Sequence, residues 1–170
     1  MKSLLILLAL AIITCSSCKK WQHKYPEDTE RTKLTPEERL TGKTWTLTKA
    51  TLNGIDYTDT VLNKIGKLEI NLSTVEEDMN YNKGYAEDNV WGAFGILWSI
   101  RNTEQDIVLF RTAGGAPFYD IPCVAYINYL DNSGFRKYTH QIMKLTQNEF
   151  KIQLTTANLD STYINVFQAN

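Results

Sequence analysis

Cys15 and Cys18, in the stretch TCSSCKK, form a C-x-x-C pair, and Cys123 is the third and last cysteine of the chain. Three chemistries use a pair like this. A dithiol redox couple should open a helix after a strand, inside an alternating strand–helix pattern, and nothing of that kind precedes residue 15. A zinc site needs a second ligand pair, and His23 and His140 are isolated. The remaining use is covalent attachment, and the preceding residues favour it. Lys2 gives a charged start, LLILLALAII (Leu4 to Ile13) runs apolar without a break, and small residues follow. The run is too short to span a bilayer as a helix, which takes about 20 residues. A charged start, a short apolar core and small residues make a secretory signal.

Other polar clusters are weaker candidates. Glu76, Glu77 and Asp78, and again Glu87 and Asp88, crowd carboxylates together, but such charge runs are ordinarily solvated loops. Asp78, Asn80 and Asn82 alternate as oxygen ligands do at the start of a calcium loop. Gly84 falls one place late for that motif, and Asn89 stands where a bidentate Glu belongs. TAGGAPFYD (112 to 120) is glycine-rich but lacks the Lys-Ser/Thr of a phosphate loop. With Phe118 and Tyr119 it reads as a loop at a rim. No nucleophile–base pair can be assembled, so the expectation is a protein that is not an enzyme, with no cofactor and no metal. An enzyme would need His140 to converge with Glu69 or Asp120 in a cleft.

Ser16, Ser17 and Cys18 resemble the lipobox of bacterial lipoproteins. In that family the signal peptidase cuts just before the cysteine, and the cysteine sulfur carries a diacylglycerol. The resemblance implies residues 1–17 as a lipoprotein signal peptide and Cys18 as the lipid attachment site. Cys15 is the rival site, though Thr14 before it is bulkier than the pattern prefers. If Cys18 leads the mature chain, Cys15 is lost and Cys123 is the remaining thiol, read as a small buried hydrophobe. If Cys15 is the anchor, Cys18 could pair with Cys123. The implied location is the outer membrane of a Gram-negative bacterium, at the periplasmic face or cell surface.

The segment KKWQHKYPEDTERTKLT, residues 19 to 35, is dense in charge and holds Pro26. Residues 18–34 therefore read as a lipid-anchored flexible tether. About sixteen such residues reach roughly 22 Å as a coil. Residues 35–170 remain as one domain, large enough to bury a core without disulfides. The chain carries 18 Lys+Arg against 19 Asp+Glu. That balance leaves no basic excess to bind nucleic acid.

Within the domain, Thr35 and Pro36 followed by two glutamates predict a short helix over 36–41, ended by Gly42. Period-two patterning follows. It predicts strands over 44–52, 67–73, 92–101, 106–112, 122–130, 137–146, 149–156 and 161–169. The segment 78–86 is one more strand or a long loop. The longer connections are 53–66, 75–91 and 112–121. Eight or nine strands joined mostly by short turns predict an all-β fold. The expected form is an up-and-down antiparallel β-barrel of about eight strands with one short N-terminal helix, a β-sandwich being the rival.

LTGKTWTLTKATLNG (40 to 54), IMKLTQNEFKIQL (142 to 154) and YINVFQ (163 to 168) resemble three parts of the lipocalin-like lipoproteins of Bacteroidetes: the opening strand, the late hairpin and the closing strand. These cover about a quarter of the domain. In true lipocalins a single residue separates the opening Gly from the Trp, whereas two separate Gly42 from Trp45. The resemblance implies a calycin-type barrel on a lipid anchor. Trp45, Trp98, Tyr126, Phe150 and Phe167 fall on predicted strands. An eight-stranded barrel either packs solid or holds one small ligand, and aromatic walls suit an apolar or amphiphilic one. These five residues, with Phe118 and Tyr119 at the rim, are the candidate ligand-binding residues. The leading expectation is a monomeric, lipid-anchored carrier of a small hydrophobic molecule. The alternative is a packed barrel that docks an envelope protein or glycan through its rim loops.

Overall fold

The computed structural model describes residues 24–29, 32–78, 81–89, 92–101, 105–111, 130–131, 134–135, 140–155 and 161–170. In chain order the elements are α1 (Pro36–Leu40), β1 (Thr44–Leu52), β2 (Ile55–Asp56), α2 (Thr58–Ile65), β3 (Leu68–Asp78), β4 (Tyr81–Asp88), β5 (Gly92–Arg101), β6 (Asp106–Arg111), β7 (Leu130–Asp131), β8 (Gly134–Phe135), β9 (His140–Leu145), β10 (Glu149–Thr155) and β11 (Thr162–Ala169). Eight of the strands run β1-β3-β4-β5-β6-β9-β10-β11, each antiparallel to the next, and β11 returns to β1. The closing seam is long, from Trp45 opposite Ala169 to Leu52 opposite Tyr163. The result is a closed up-and-down barrel, in which every main strand has two partners and none is left as an edge. β2 folds back on β1, and among the described residues β7 pairs with β8 alone.

The expected strand at 122–130 lies outside the described residues except for Leu130, which falls in β7. β6 pairs directly with β9, through Asp106 with Gln141 and Ile107 with His140. The eighth barrel strand is instead β4, in the segment that sequence left open between strand and loop. Its residues opposite β3 include Gly84 and Ala86. These are too small to give the apolar alternation that marks a strand.

Register shifts occur in β1, β9 and β3, and those in β1 and β9 adjust which side chains face inward. An extra residue in one strand shifts its alternation by one. In β1 the register jumps between Leu47 and Lys49, so Trp45, Leu47 and Ala50 are all buried while Thr48 and Lys49 are exposed. In β9 the pairing passes from Lys144 to Ile142 across adjacent residues of β10. Ile142 and Leu145 are buried as a result.

The expectation of a single helix is corrected by α2, which lies in the connection 53–66. Its residues are a poor helix sequence, but Val61 and Ile65, four apart, both insert into the core. The backbone N–H of Tyr57 donates to Ala50 O at 2.8 Å, and that of Asn89 donates to Ile65 O at 2.9 Å. α2 is thus tied at one end to β1 and at the other to the turn after β4. Gly66 ends it with φ of 74°, where a side chain would be strained and would collide with Asn89.

At the opposite end of the barrel sits α1. Thr35 caps it: its hydroxyl accepts from Glu38 N at 3.2 Å, and Glu38 Oε2 accepts from Thr35 N at 2.6 Å. The residues before it are also packed. Tyr25 is 4% exposed and belongs to the core cluster. Glu27 N donates to Met143 O at 2.9 Å, and Lys151 holds the Glu27 carboxylate at 2.7 Å. The packed part of the chain therefore reaches back at least to Tyr25, ten residues before the expected domain start at Thr35. All described contacts lie within residues 24–170. Among the described residues, no helix is long and apolar enough to cross a membrane.

Candidate functional site: the barrel interior

Three cross-strand rungs span β9, β10, β11 and β1. The first is Leu145, Phe150, Phe167 and Leu47; the second is Ile142, Ile152, Asn165 and Ala50; the third is His140, Leu154, Tyr163 and Leu52. All are buried except Leu52, which is partly so. The period-two geometry of β11 sends Tyr163, Asn165 and Phe167 to the same face, the inside.

The first rung builds a floor with Trp45. The Trp45 and Phe150 rings meet at 5.6 Å, tilted by 58°, and Phe150 and Phe167 stack at 5.7 Å. The Trp45 indole N–H donates to Leu40 O at 2.8 Å, which pins the floor to α1. Behind it Arg39, 2% exposed, pairs with Asp28 at 3.0 Å. Arg39 also donates to Leu145 O, and its guanidinium lies 5.2 Å from the centre of the Tyr25 ring. The α1 end is therefore shut by a packed aromatic layer and a charged clasp.

Trp98 lies apart, on β5. It is fully buried, and its indole N–H reaches Ser73 O at 3.0 Å and Lys83 O at 3.1 Å. Of the candidate ligand-binding residues, then, Trp45, Phe150 and Phe167 come together, and Trp98 stands on another wall. Tyr126, Phe118, Tyr119 and the lipid-attachment candidate Cys18 lie outside the described residues, as do Cys15 and Cys123.

The second rung contains the residue that sequence reasoning missed. Asn165 is 3% exposed, its cross-strand neighbours are Ala50 and Ile152, and its Oδ1 has no hydrogen-bond partner. Native proteins pair nearly all buried polar atoms, and an unpaired one costs about 1–3 kcal/mol. The signal was present in YINVFQ: an asparagine in phase with Tyr163 and Phe167 must share their side of the sheet. Sequence alone does not tell an inward asparagine that is satisfied from one that is not.

Three further polar residues are buried among those described: His140, 1% exposed, Asp88, 2% exposed, and Ser99, 8% exposed. Glu69, one possible partner for His140, lies between the buried Leu68 and Ile70 and pairs with Lys67 at 3.0 Å on the outer face. Asp120 lies outside the described residues. Of the calcium-like oxygens, Asp78 ends β3 and Asn82 is on β4, while Asn80 is not described. Among the described residues no group of three or more His, Cys, Asp or Glu could hold a metal ion.

No family model matches this chain, and no curated protein matches it.

Proposed function

We propose that the protein is a lipid-anchored envelope lipoprotein, similar to the lipocalin-like lipoproteins of Bacteroidetes. It takes a small hydrophobic or amphiphilic molecule into its barrel and makes or breaks no bond. The observation that carries this is Asn165: one unpaired amide oxygen held inside an otherwise apolar rung. Ligand sites in barrels combine apolar walls with a few placed polar groups. The second reading is a packed barrel that docks an envelope protein or glycan through its surface. It is favoured by the mutual packing of Trp45, Phe150 and Phe167.

Protein beginning at Lys19 retains every described contact. Such protein, isolated from cells of the source organism and extracted with organic solvent, should release one amphiphile in near-equimolar amount, read by mass spectrometry. Release of none would move the conclusion to the docking barrel. Anchoring is tested separately: labelled fatty acid should be incorporated by the full chain and lost on Cys18→Ser.

A further inference from the structure

In the ligand-carrying reading above, on which this inference rests, the second rung is where a ligand head would be recognised. We infer that the interior selects an uncharged amphiphile whose head donates a hydrogen bond, a hydroxyl or an amide N–H, to Asn165 Oδ1. Three observations combine. Asn165 is 97% removed from solvent by its 3% exposure, and its oxygen is an acceptor without a donor. Ala50 and Ile152, which flank it across the sheet, and Phe167 on β11 carry no side-chain donor, and the Tyr163 hydroxyl, two residues away on β11, makes no bond to it. Ala50 is also the smallest side chain of its rung, so bulk is lowest beside the amide.

Lysine and arginine give an acid no partner here, and the one buried imidazole among the described residues, His140, stands a rung away from Asn165. Arg39 is the one buried cation among the described lysines and arginines, and it lies behind the Trp45 floor, paired with Asp28. The buried acid Asp88 lies on β4. Among the residues of described burial a carboxylate head would thus meet no buried lysine or arginine inside the barrel, and burying an unpaired charge is far costlier than burying a hydroxyl that is hydrogen-bonded. An ether or plain alkane chain would fill the same space and leave the Asn165 oxygen unpaired. Sites built around a polar contact reject analogues that lack it.

Three probes of equal chain length separate these terms: decan-1-ol, which donates; decyl methyl ether, which only accepts; and decanoate, which is charged. Binding to the protein beginning at Lys19 is read from Trp45 and Trp98 fluorescence and by calorimetry. The alcohol should bind at least tenfold tighter than either of the other two. In Asn165→Leu the margin of alcohol over ether should vanish while the ether still binds. Ether equal to alcohol, or decanoate tightest, overturns the headgroup assignment and leaves the carrier reading standing. No binding of any probe to a folded protein overturns both. The wild-type ranking decides the matter even if the variant does not fold.

Discussion

Asp28 and Arg39 meet at 3.0 Å with both side chains sealed from solvent, and the second carboxylate oxygen of Asp28 accepts the backbone N–H of Leu145 at 2.7 Å. One residue from the segment before α1 thus grips the helix and the late hairpin together.

Asp28→Ala should therefore be severely destabilising. It leaves Arg39 buried without its counter-charge, a change that costs about 3–5 kcal/mol. Urea unfolding of the protein beginning at Lys19 measures it. A loss under about 1 kcal/mol would mean that the clasp is solvated in solution.

Asn165→Leu should act in the opposite direction. Replacing an unpaired buried amide with an apolar group of similar size removes a desolvation penalty of about 1–3 kcal/mol. Ligand-free protein should gain stability of about that size, with an unchanged denaturant slope. Phe167→Ala, two residues on, should instead lose about 3–5 kcal/mol by opening a cavity in the floor.

Tyr25 predicts an alkaline limb. Burial holds its phenol well above the ordinary value of 10.0. The folded state thus keeps the proton that the unfolded chain gives up. The stabilisation is complete below pH 10.0 and is lost as pH rises beyond it. Tyr25→Phe removes a buried hydroxyl that has no partner, so it should raise neutral-pH stability by about 1 kcal/mol or more, and it should flatten the fall above pH 10. Melts between pH 8 and pH 11, compared for the two proteins, provide the test.

Gly84 should tolerate no side chain. A Cβ there would lie 2.7 Å from Asn71 O, with Ile96 and Leu72 at 3.1 Å. A backbone carbonyl in a sheet cannot move away cheaply. Gly84→Val should cost about 2 kcal/mol or more, read as a lower melting temperature. A neutral result would show that β3 and β4 part easily at this point.

The barrel was legible wherever neighbours in sequence are also neighbours in the fold. Thr35, Pro36 and Glu38 announced α1 because a capping box is built within four residues. Phe150, Ile152 and Leu154 announced β10 because alternation is local. What escaped depends on distant partners. α2 hangs on Val61 and Ile65 reaching a core assembled from eight other strands, and its Thr, Asp and Asn residues carry little helical preference of their own. Tyr25 and Asp28 look like tether residues until Leu145 and Arg39 are brought beside them. Trp45 was read correctly as inward. That it belongs to a sealed floor follows from Leu40 and Phe150, which no period reveals. The asparagine at 165 was visible in phase, but its missing partner is a property of three strands at once.

The docked segment also shortens the leash. Residues 18–34 as a loose coil would let the barrel wander roughly 22 Å from its anchor. With Tyr25, Glu27 and Asp28 fastened to the α1 end, five residues separate Cys18 from Lys24, and even fully extended that span covers only about 20 Å. Were Cys18 lipidated as proposed, the α1 end of the barrel would be the end tied within that distance of the bilayer.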